Sequence, residues 1–532
     1  MNRKDRRAQR TGAKGVGKGS SNAPLGKSST VSTSDPAFAL AVQHAAGGRL
    51  DEARTLAEGV LRDKPAHPDA LHLLGVIAHH QARFDEAAAL IGRALALRPQ
   101  MVDARINRSL ALTFLRRFDE AESEVDKALA AQPGNGLALK LQAQICRDRG
   151  RLDEAAAAFA RITRREPRDF ESWSNLGATL RALDRFAEAE AAFRKAIAIR
   201  PDMPAAHNNL GKLLLATGRL AEGFAEDEWR WRTLERRQDI RPFRQPMWEG
   251  QDLAGKTLLL WSEQGPGDQI LAASMIPDLI ARGARLVIEC KKRMAPVFAR
   301  AFPEAEVVEL AEPPHPATLS ADIAFQAPLG NIGRWLRPDL AAFPDRAGFL
   351  KPDGNRVGAL RARYRDAGAG PVVGIAWRSK NVTIGGQKST ALADWKPILA
   401  VPGLTWINLQ YGDVAEELTS VRQGFGTDIR QDPEIDQLAD MDALLAQVAA
   451  LDLVITTSQT VAHVAGGLGV PVWVLLPRDD GLLWYWFLEG ERSPFYASAR
   501  LFRQAVRGGW TETLESVASR LALSFGKGEE IR

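Results

Sequence analysis

Three short loops of this 532-residue chain carry residue types suited to a charged ligand. The first is SEQGPGDQI, Ser262–Ile270, which follows an apolar run. Gly265 and Gly267 permit close backbone approach, and Asp268 falls at the start of the next helix. The plain role of such a carboxylate is a helix cap worth roughly 1 kcal/mol; its chemical role is to accept a proton. The second loop is WRSKN, Trp377–Asn381, where Arg378 and Lys380 are followed by Lys388 in the Gly-rich stretch Ile384–Ser389. Two or three cations so placed suit a phosphate, although such loops are also commonly solvated surface. The third is TTSQTVAHVAGGLG, Thr456–Gly469. Ser458, Gln459 and Thr460 open a helix whose free N–H groups attract anions, and His463 lies one turn in. No metal site is expected. Cys146 and Cys290 have no nearby His partners, and the Asp440–Asp442 pair sits in a helical stretch before a strand, where acidic residues read as solvated surface.

Strands and helices must hold these loops. From Lys256 onward, apolar runs of strand length alternate with helical stretches. The first series is Lys256–Glu263, Arg285–Cys290, Ala305–Leu310 and Ala321–Gln326, with a helical stretch near Gln269–Arg282. A Pro/Gly-rich break at Pro344–Asn355 precedes a second series: Pro371–Trp377, Leu404–Gln410, Leu451–Thr457 and Val470–Leu476. Continuous apolar strands flanked by helices predict parallel sheets buried on both faces. Two series predict two Rossmann-like lobes with a cleft between them, and ligands in such sheets sit beyond the carboxyl ends of the strands. All three loops directly follow a strand. The predicted boundaries are 256–350 for the first lobe, 351–370 for the inter-lobe linker and 371–528 for the second.

The first 255 residues read differently. Pro65, Pro99, Pro133, Pro167 and Pro201 are spaced by 34 residues, and LDEA, FDEA, FDEA, LDEA, FAEA and LAEG begin at Leu50, Phe84, Phe118, Leu152, Phe186 and Leu220 in the same period. Trp173, Leu176 and Gly177 form a W-x2-L-G element. This pattern resembles the tetratricopeptide repeat (TPR). It implies about six antiparallel helix pairs over 36–237, each unable to bury its apolar face alone, so that neighbours stack into a superhelix. Asn107, Asn175 and Asn209 share one position of the first helix, where an amide can both donate to and accept from a peptide backbone. Leu73 and Leu141 interrupt the series. Stacked Asn side chains of this kind resemble the asparagine ladder in the superhelix of O-GlcNAc transferase. The segment EDEWRWRTLERR, Glu226–Arg237, is expected to dock the solenoid on the next domain, with a linker at 238–255.

Composition bounds the rest. The chain is 45% hydrophobic and 25% charged, with net charge +5. Residues 1–27 carry eight Lys and Arg against Asp5, a net +7, so the remainder is net −2. The tail, 1–35, is predicted to be disordered. A folded part without basic excess argues against a nucleic-acid protein. There is no apolar span or apolar leader, and two widely separated cysteines fit a reducing cytoplasm.

The motifs EQGPGD, GIAWRSKN and ITTSQTVAHVAGGLGVPVWVLLP, followed by SPFY and LFRQ, resemble bacterial TPR-linked glycosyltransferases of GT-B fold. These are relatives of the family-9 heptosyltransferases and, more distantly, of O-GlcNAc transferase. The resemblance covers about residues 36–525. It implies that Asp268 is the general base, that Arg378 and Lys380 contact a nucleotide diphosphate, and that the backbone N–H groups of Gln459, Thr460 and Val461 bind phosphate ahead of His463. Many relatives have Asp-Thr where this chain has Ser458–Gln459. The implied reaction is inverting transfer of a sugar from a nucleotide-sugar to a Ser or Thr hydroxyl of a protein, without a metal or a resident cofactor. The TPR groove would select the acceptor, flagellin being one by analogy. The alternatives are a non-catalytic TPR adaptor with a degenerate α/β domain, and an enzyme of surface polysaccharide synthesis.

Overall fold

The computed structural model describes residues 35–526 apart from positions 367, 369, 382, 383 and 480. Positions 1–34 of the predicted basic tail lie outside the described residues. The chain divides into two units, one ending at Ala206 and one beginning at His207. The division falls inside the sixth and last helix pair, 204–216 with 220–227, some thirty residues before the boundary expected at 237.

The first unit is a run of antiparallel helix pairs: 36–46 with 50–63, 68–80 with 84–97, 102–114 with 118–131, 136–148 with 152–165, and 170–182 with 186–199. Small residues at fixed positions let the helices touch. A Cβ on Gly177 would lie 2.7 Å from the Phe193 ring. Each second helix stops one residue before the cap that precedes its proline, since Pro cannot continue a helix and pushes its predecessor to extended backbone. The turn inside each pair is also periodic. Residues 48, 82, 116, 150, 184 and 218 all have positive φ, but only three are glycine; the others are Ala82, Arg116 and Asp184. The next residue's N–H reaches back to close a six-residue Schellman turn, as in Arg117 N to Leu112 O at 2.9 Å. Left-handed backbone costs an L-residue about 1–2 kcal/mol, partly offset by glycine's greater unfolded freedom. Arg116→Gly is therefore expected to stabilise its repeat by up to about 1 kcal/mol, read as a raised urea midpoint.

The second unit holds two all-parallel sheets. β1 (Thr257–Trp261), β2 (Arg285–Cys290), β3 (Glu306–Glu309) and β4 (Ile323–Pro328) are ordered β3-β2-β1-β4. β5 (Val372–Ala376), β6 (Thr405–Asn408), β7 (Ile429–Arg430), β8 (Leu453–Thr457), β9 (Val472–Leu476) and β10 (Ala499–Arg503) are ordered β10-β9-β8-β5-β6-β7. The chain reverses its direction of travel between β1 and β4 in one sheet and between β5 and β8 in the other. These are the topological switch points where open α/β sheets bind ligands. One apolar core includes Leu258 and Leu260 of β1, Val372 of β5 and Val454 of β8, so the lobes share an interior. Arg300 of the first lobe forms a two-armed ion pair with Asp442 of the second, and Arg356 pairs with Asp440. Asp440 also caps its helix through Ala443 N–H. Asp442 thus braces the two lobes, while Asp440 and Arg356 stay partly exposed, as a solvated surface pair would.

The stretch expected as a linker is folded onto the first sheet. Trp248 N–H donates to Gln326 O at 2.8 Å, and Gln326 N–H donates to Pro246 O at 2.9 Å. Within this unit the Trp-rich segment packs on the first lobe: Trp231 lies on Trp261 with centroids 5.5 Å apart, and buried Arg230 lies 3.7 Å from Glu263.

Candidate functional site

The Asp268 loop leaves the carboxyl end of β1 at the first switch point. Gly265 occupies the cap position of helix 266–273, followed by Pro266 at its first turn. Asp268 is therefore the third helical residue, not the cap. It reaches back to Gly265 N–H, half of a capping box. Burial holds its carboxyl above the ordinary Asp range, and Lys388 works in the opposite direction.

Helix 460–468 leaves β8 at the second switch point, with Gln459 at its cap, whose side chain makes no cap hydrogen bond. The two switch points meet. A Cβ on Gly267 would stand 2.8 Å from His463 Cδ2 and 3.6 Å from Thr460 Cα, so only glycine fits between the loops. Phe349 and Leu350 N–H both donate to Gly467 O at 2.8 Å, fastening the lobes one turn further along. The expected cleft is thus closed at this point. An open cavity of about 570 Å³ lies elsewhere between the lobes, lined by Lys291, Lys292, Arg293, Pro296 and Ala439–Met441.

The predicted cations divide. Lys388 is buried, and it biases the charge of both Asp268 and His463. Burial lowers its ammonium pKa and Asp268 raises it. Arg378 instead donates to Glu417 Oε2 at 2.8 Å and to Asp413 O at 2.9 Å. Lys380 lies over the Tyr411 ring, 5.7 Å from its centroid. Of the two residues expected to contact a nucleotide diphosphate, Arg378 is paired with a neighbouring carboxylate and Lys380 lies on an aromatic face.

His463 is buried. Its Nδ1 shares a hydrogen bond with Tyr496 Oη at 2.9 Å, and its ring stacks on Trp486 at 5.4 Å. Burial, with Lys388 nearby, drives its pKa down to about 3, so the ring is neutral at physiological pH. Its ring packs behind Gly267. Ser458 Oγ accepts Trp486 Nε1–H at 2.8 Å. Val461 is buried. Gln459 donates to Thr456 Oγ1 at 3.3 Å, but its Oε1 is buried without a partner, as are Ser262 Oγ, Gln269 Oε1 and Thr457 Oγ1. Four orphaned polar atoms around the two switch points fit a site built for a polar ligand. Sequence reasoning gave no role to Tyr485, Trp486 or Tyr496, the last of them within the SPFY motif; all three pack around His463.

The asparagine series is interrupted further. Asn107 is 1% exposed, with Nδ2 on His72 Nε2 at 2.9 Å, so it faces the preceding repeat rather than open surface. Asn175 is half-buried and accepts from Arg147 at 3.4 Å, while Asn209 is half-buried in the second unit.

A tetratricopeptide-repeat family model matches residues 38–102, 106–170, 140–204 and 174–227. The N-terminal part of the chain carries tetratricopeptide repeats. Protein FlbA of Caulobacter vibrioides is 34% identical over 300 residues, 52% of this chain and 48% of FlbA. The chain thus spans about half the length of this curated relative. Among solved structures, YrrB, described as a TPR protein with an unusual peptide-binding site, is 22% identical over 32% of this chain and 88% of its own, with TM-score 0.29. TTC0263 of Thermus thermophilus is 24% identical over 34% and 98%, with TM-score 0.30. PilW is 19% identical over 39% and 99%, with TM-score 0.35. Among the described residues, no helix is long and apolar enough to cross a membrane.

Proposed function

We propose that the α/β unit transfers a sugar from a nucleotide-sugar to a protein hydroxyl, and that the repeats select the acceptor. The observation that carries this reading is the meeting of a carboxylate, a buried lysine and an uncapped helix tip at two switch points. Asp268, kept basic by burial, accepts the proton of the attacking Ser or Thr. Lys388 and the N–H groups at Gln459, Thr460 and Val461 stabilise the charge that develops on the leaving diphosphate. On this reading Arg378 contacts the nucleotide by releasing Glu417, and Lys380 by leaving the face of Tyr411. The acceptor is a polypeptide on this reading, a flagellin among the proteins to test.

One observation favours the adaptor reading. Asp268 already has a structural partner in Gly265 N–H, so a degenerate domain would keep it for that first-turn bond. Melting in the presence of UDP-, GDP-, ADP-, CMP- and dTDP-sugars separates the two. An enzyme gains about 2.7 kcal/mol at a ligand concentration 100 times Kd, visible as a saturable rise in Tm. No shift with any of them supports the adaptor. Comparing intact masses of surface and secreted proteins with and without the gene then identifies acceptor and sugar together.

A further inference from the structure

Phe487 has φ 55° and ψ 176°, at the edge of a region nearly reserved for glycine. Such strain persists only where the surroundings impose it. Here they are explicit. The Phe487 ring is buried in a cluster with Leu215, Leu220 and Phe224 of the last helix pair. Leu488 N–H donates to Ala216 O at 3.1 Å. The Arg503 guanidinium donates to the carbonyls of Trp486, Phe487 and Glu489 at 2.8, 3.0 and 3.0 Å. The preceding residue faces the other way. Trp486 is 1% exposed, stacks on His463 and donates to Ser458 Oγ. Ser458 and His463 bracket the first turn of helix 460–468. Two adjacent residues therefore join an anchored cluster to the tip of the candidate anion site.

We propose that Phe487 is a positioning residue: the last helix pair grips its ring, the strained backbone follows, and Trp486 is held against His463 and Ser458 at the helix tip. The importance of that tip rests on the glycosyltransferase reading; the coupling itself does not. A ring that merely filled space would make Phe487→Gly no better than Phe487→Ala, because both leave the same void and glycine frees the unfolded chain more. A strained anchor reverses the order. Once the grip is lost, glycine keeps φ 55° without cost, whereas alanine relaxes and carries Trp486 away.

The full-length wild type, Phe487→Gly and Phe487→Ala decide this through the ring 15N signals of His463, assigned by comparison with His463→Gln. In the wild type the ring stays neutral from pH 5 to 8, as its pKa of about 3 requires. In Phe487→Ala it is expected to titrate upward toward the free-imidazole value, with Phe487→Gly between. Signals in Phe487→Ala that match or stay closer to wild type than those of Phe487→Gly overturn the proposal. Inorganic pyrophosphate, measured by calorimetry on the same proteins, tests the site. Binding is expected to be at least about fivefold weaker in Phe487→Ala than in Phe487→Gly. If the wild type binds no pyrophosphate while the His463 signals keep their order, the positioning role stands and the donor-site reading falls.

Discussion

Asp268→Asn is expected to lower sugar transfer by about 10²- to 10⁴-fold without loss of fold. The amide is nearly isosteric, and its oxygen can still accept Gly265 N–H, so that first-turn bond survives while the proton acceptor is gone. Stability should move slightly the other way. A carboxyl whose folded pKa is raised contributes stability below its unfolded value of 3.8 and loses it as pH rises through the folded value. At neutral pH the Asp268 charge is thus a burden that Asn removes, and Tm should hold or rise. In the wild type the rate should climb with pH as Asp268 ionises, since the base must be charged. Lys388 works to lower that pKa, so Lys388→Met should move the acid limb to higher pH as well as weaken donor binding. His463 is neutral above a pH of about 3 and should add no limb of its own. Unchanged turnover in Asp268→Asn would remove Asp268 from the base role, and a limb near pH 6.5 abolished by His463→Gln would contradict its burial.

What the sequence makes legible here is whatever periodicity and burial impose together. The runs Arg285–Cys290 and Leu451–Thr457 are mostly apolar, Arg285, Glu289 and Asp452 aside, because both faces of their sheets are covered, and the strands lie where that pattern puts them. β7 escapes because two residues carry no pattern, and β10 because ARLFR keeps both Arg side chains partly exposed at the sheet's edge. The left-handed turns at Ala82, Arg116 and Asp184 escape because tertiary packing forces them without glycine. In the site, distance from a strand end is a poor guide to which cation arrives. Arg378 and Lys380 lie next to β5 but find Glu417 and Tyr411, partners on elements some thirty or more residues away. Lys388, further from β5, is the cation whose charge acts on Asp268; its loop turns at Gly385, whose N–H bonds Asn381 O at 2.8 Å and where a Cβ would strike that oxygen at 2.3 Å. Asn107 keeps its place in the repeat yet is claimed by His72, a neighbour one repeat back that linear spacing does not flag.

Arg241→Ala should destabilise the second unit by about 3–5 kcal/mol, far more than a surface ion pair would cost. Arg241 is nearly buried, donating to Glu289 Oε1 at 2.8 Å, to Ala311 O at 2.9 Å and to the Glu312 carboxylate. Glu289 stands in β2 with no solvent exposure, and its Oε2 has no partner even now. Burial already holds its pKa above 4.5, and removing Arg241 takes away the main opposing influence. The sign of the pH dependence follows. A raised carboxyl gives its full stability below 4.5 and loses it as pH climbs through the folded value, so the penalty of Arg241→Ala should be largest at neutral and alkaline pH and shrink in acid. Urea unfolding of the second unit at pH 5 and pH 8 reads this directly, and a loss under about 1 kcal/mol at pH 8 would mean the pair is not structural. The double variant Arg241→Met, Glu289→Leu separates packing from charge. Removing both charges at once leaves no orphan, and such replacements are commonly neutral or stabilising. The consequence reaches the site, because Ser262 N–H donates to Glu289 O at 3.0 Å. The first residue of the Asp268 loop hangs on the same backbone that Arg241 secures, so Arg241→Ala should impair the site at urea concentrations where the double variant still holds it.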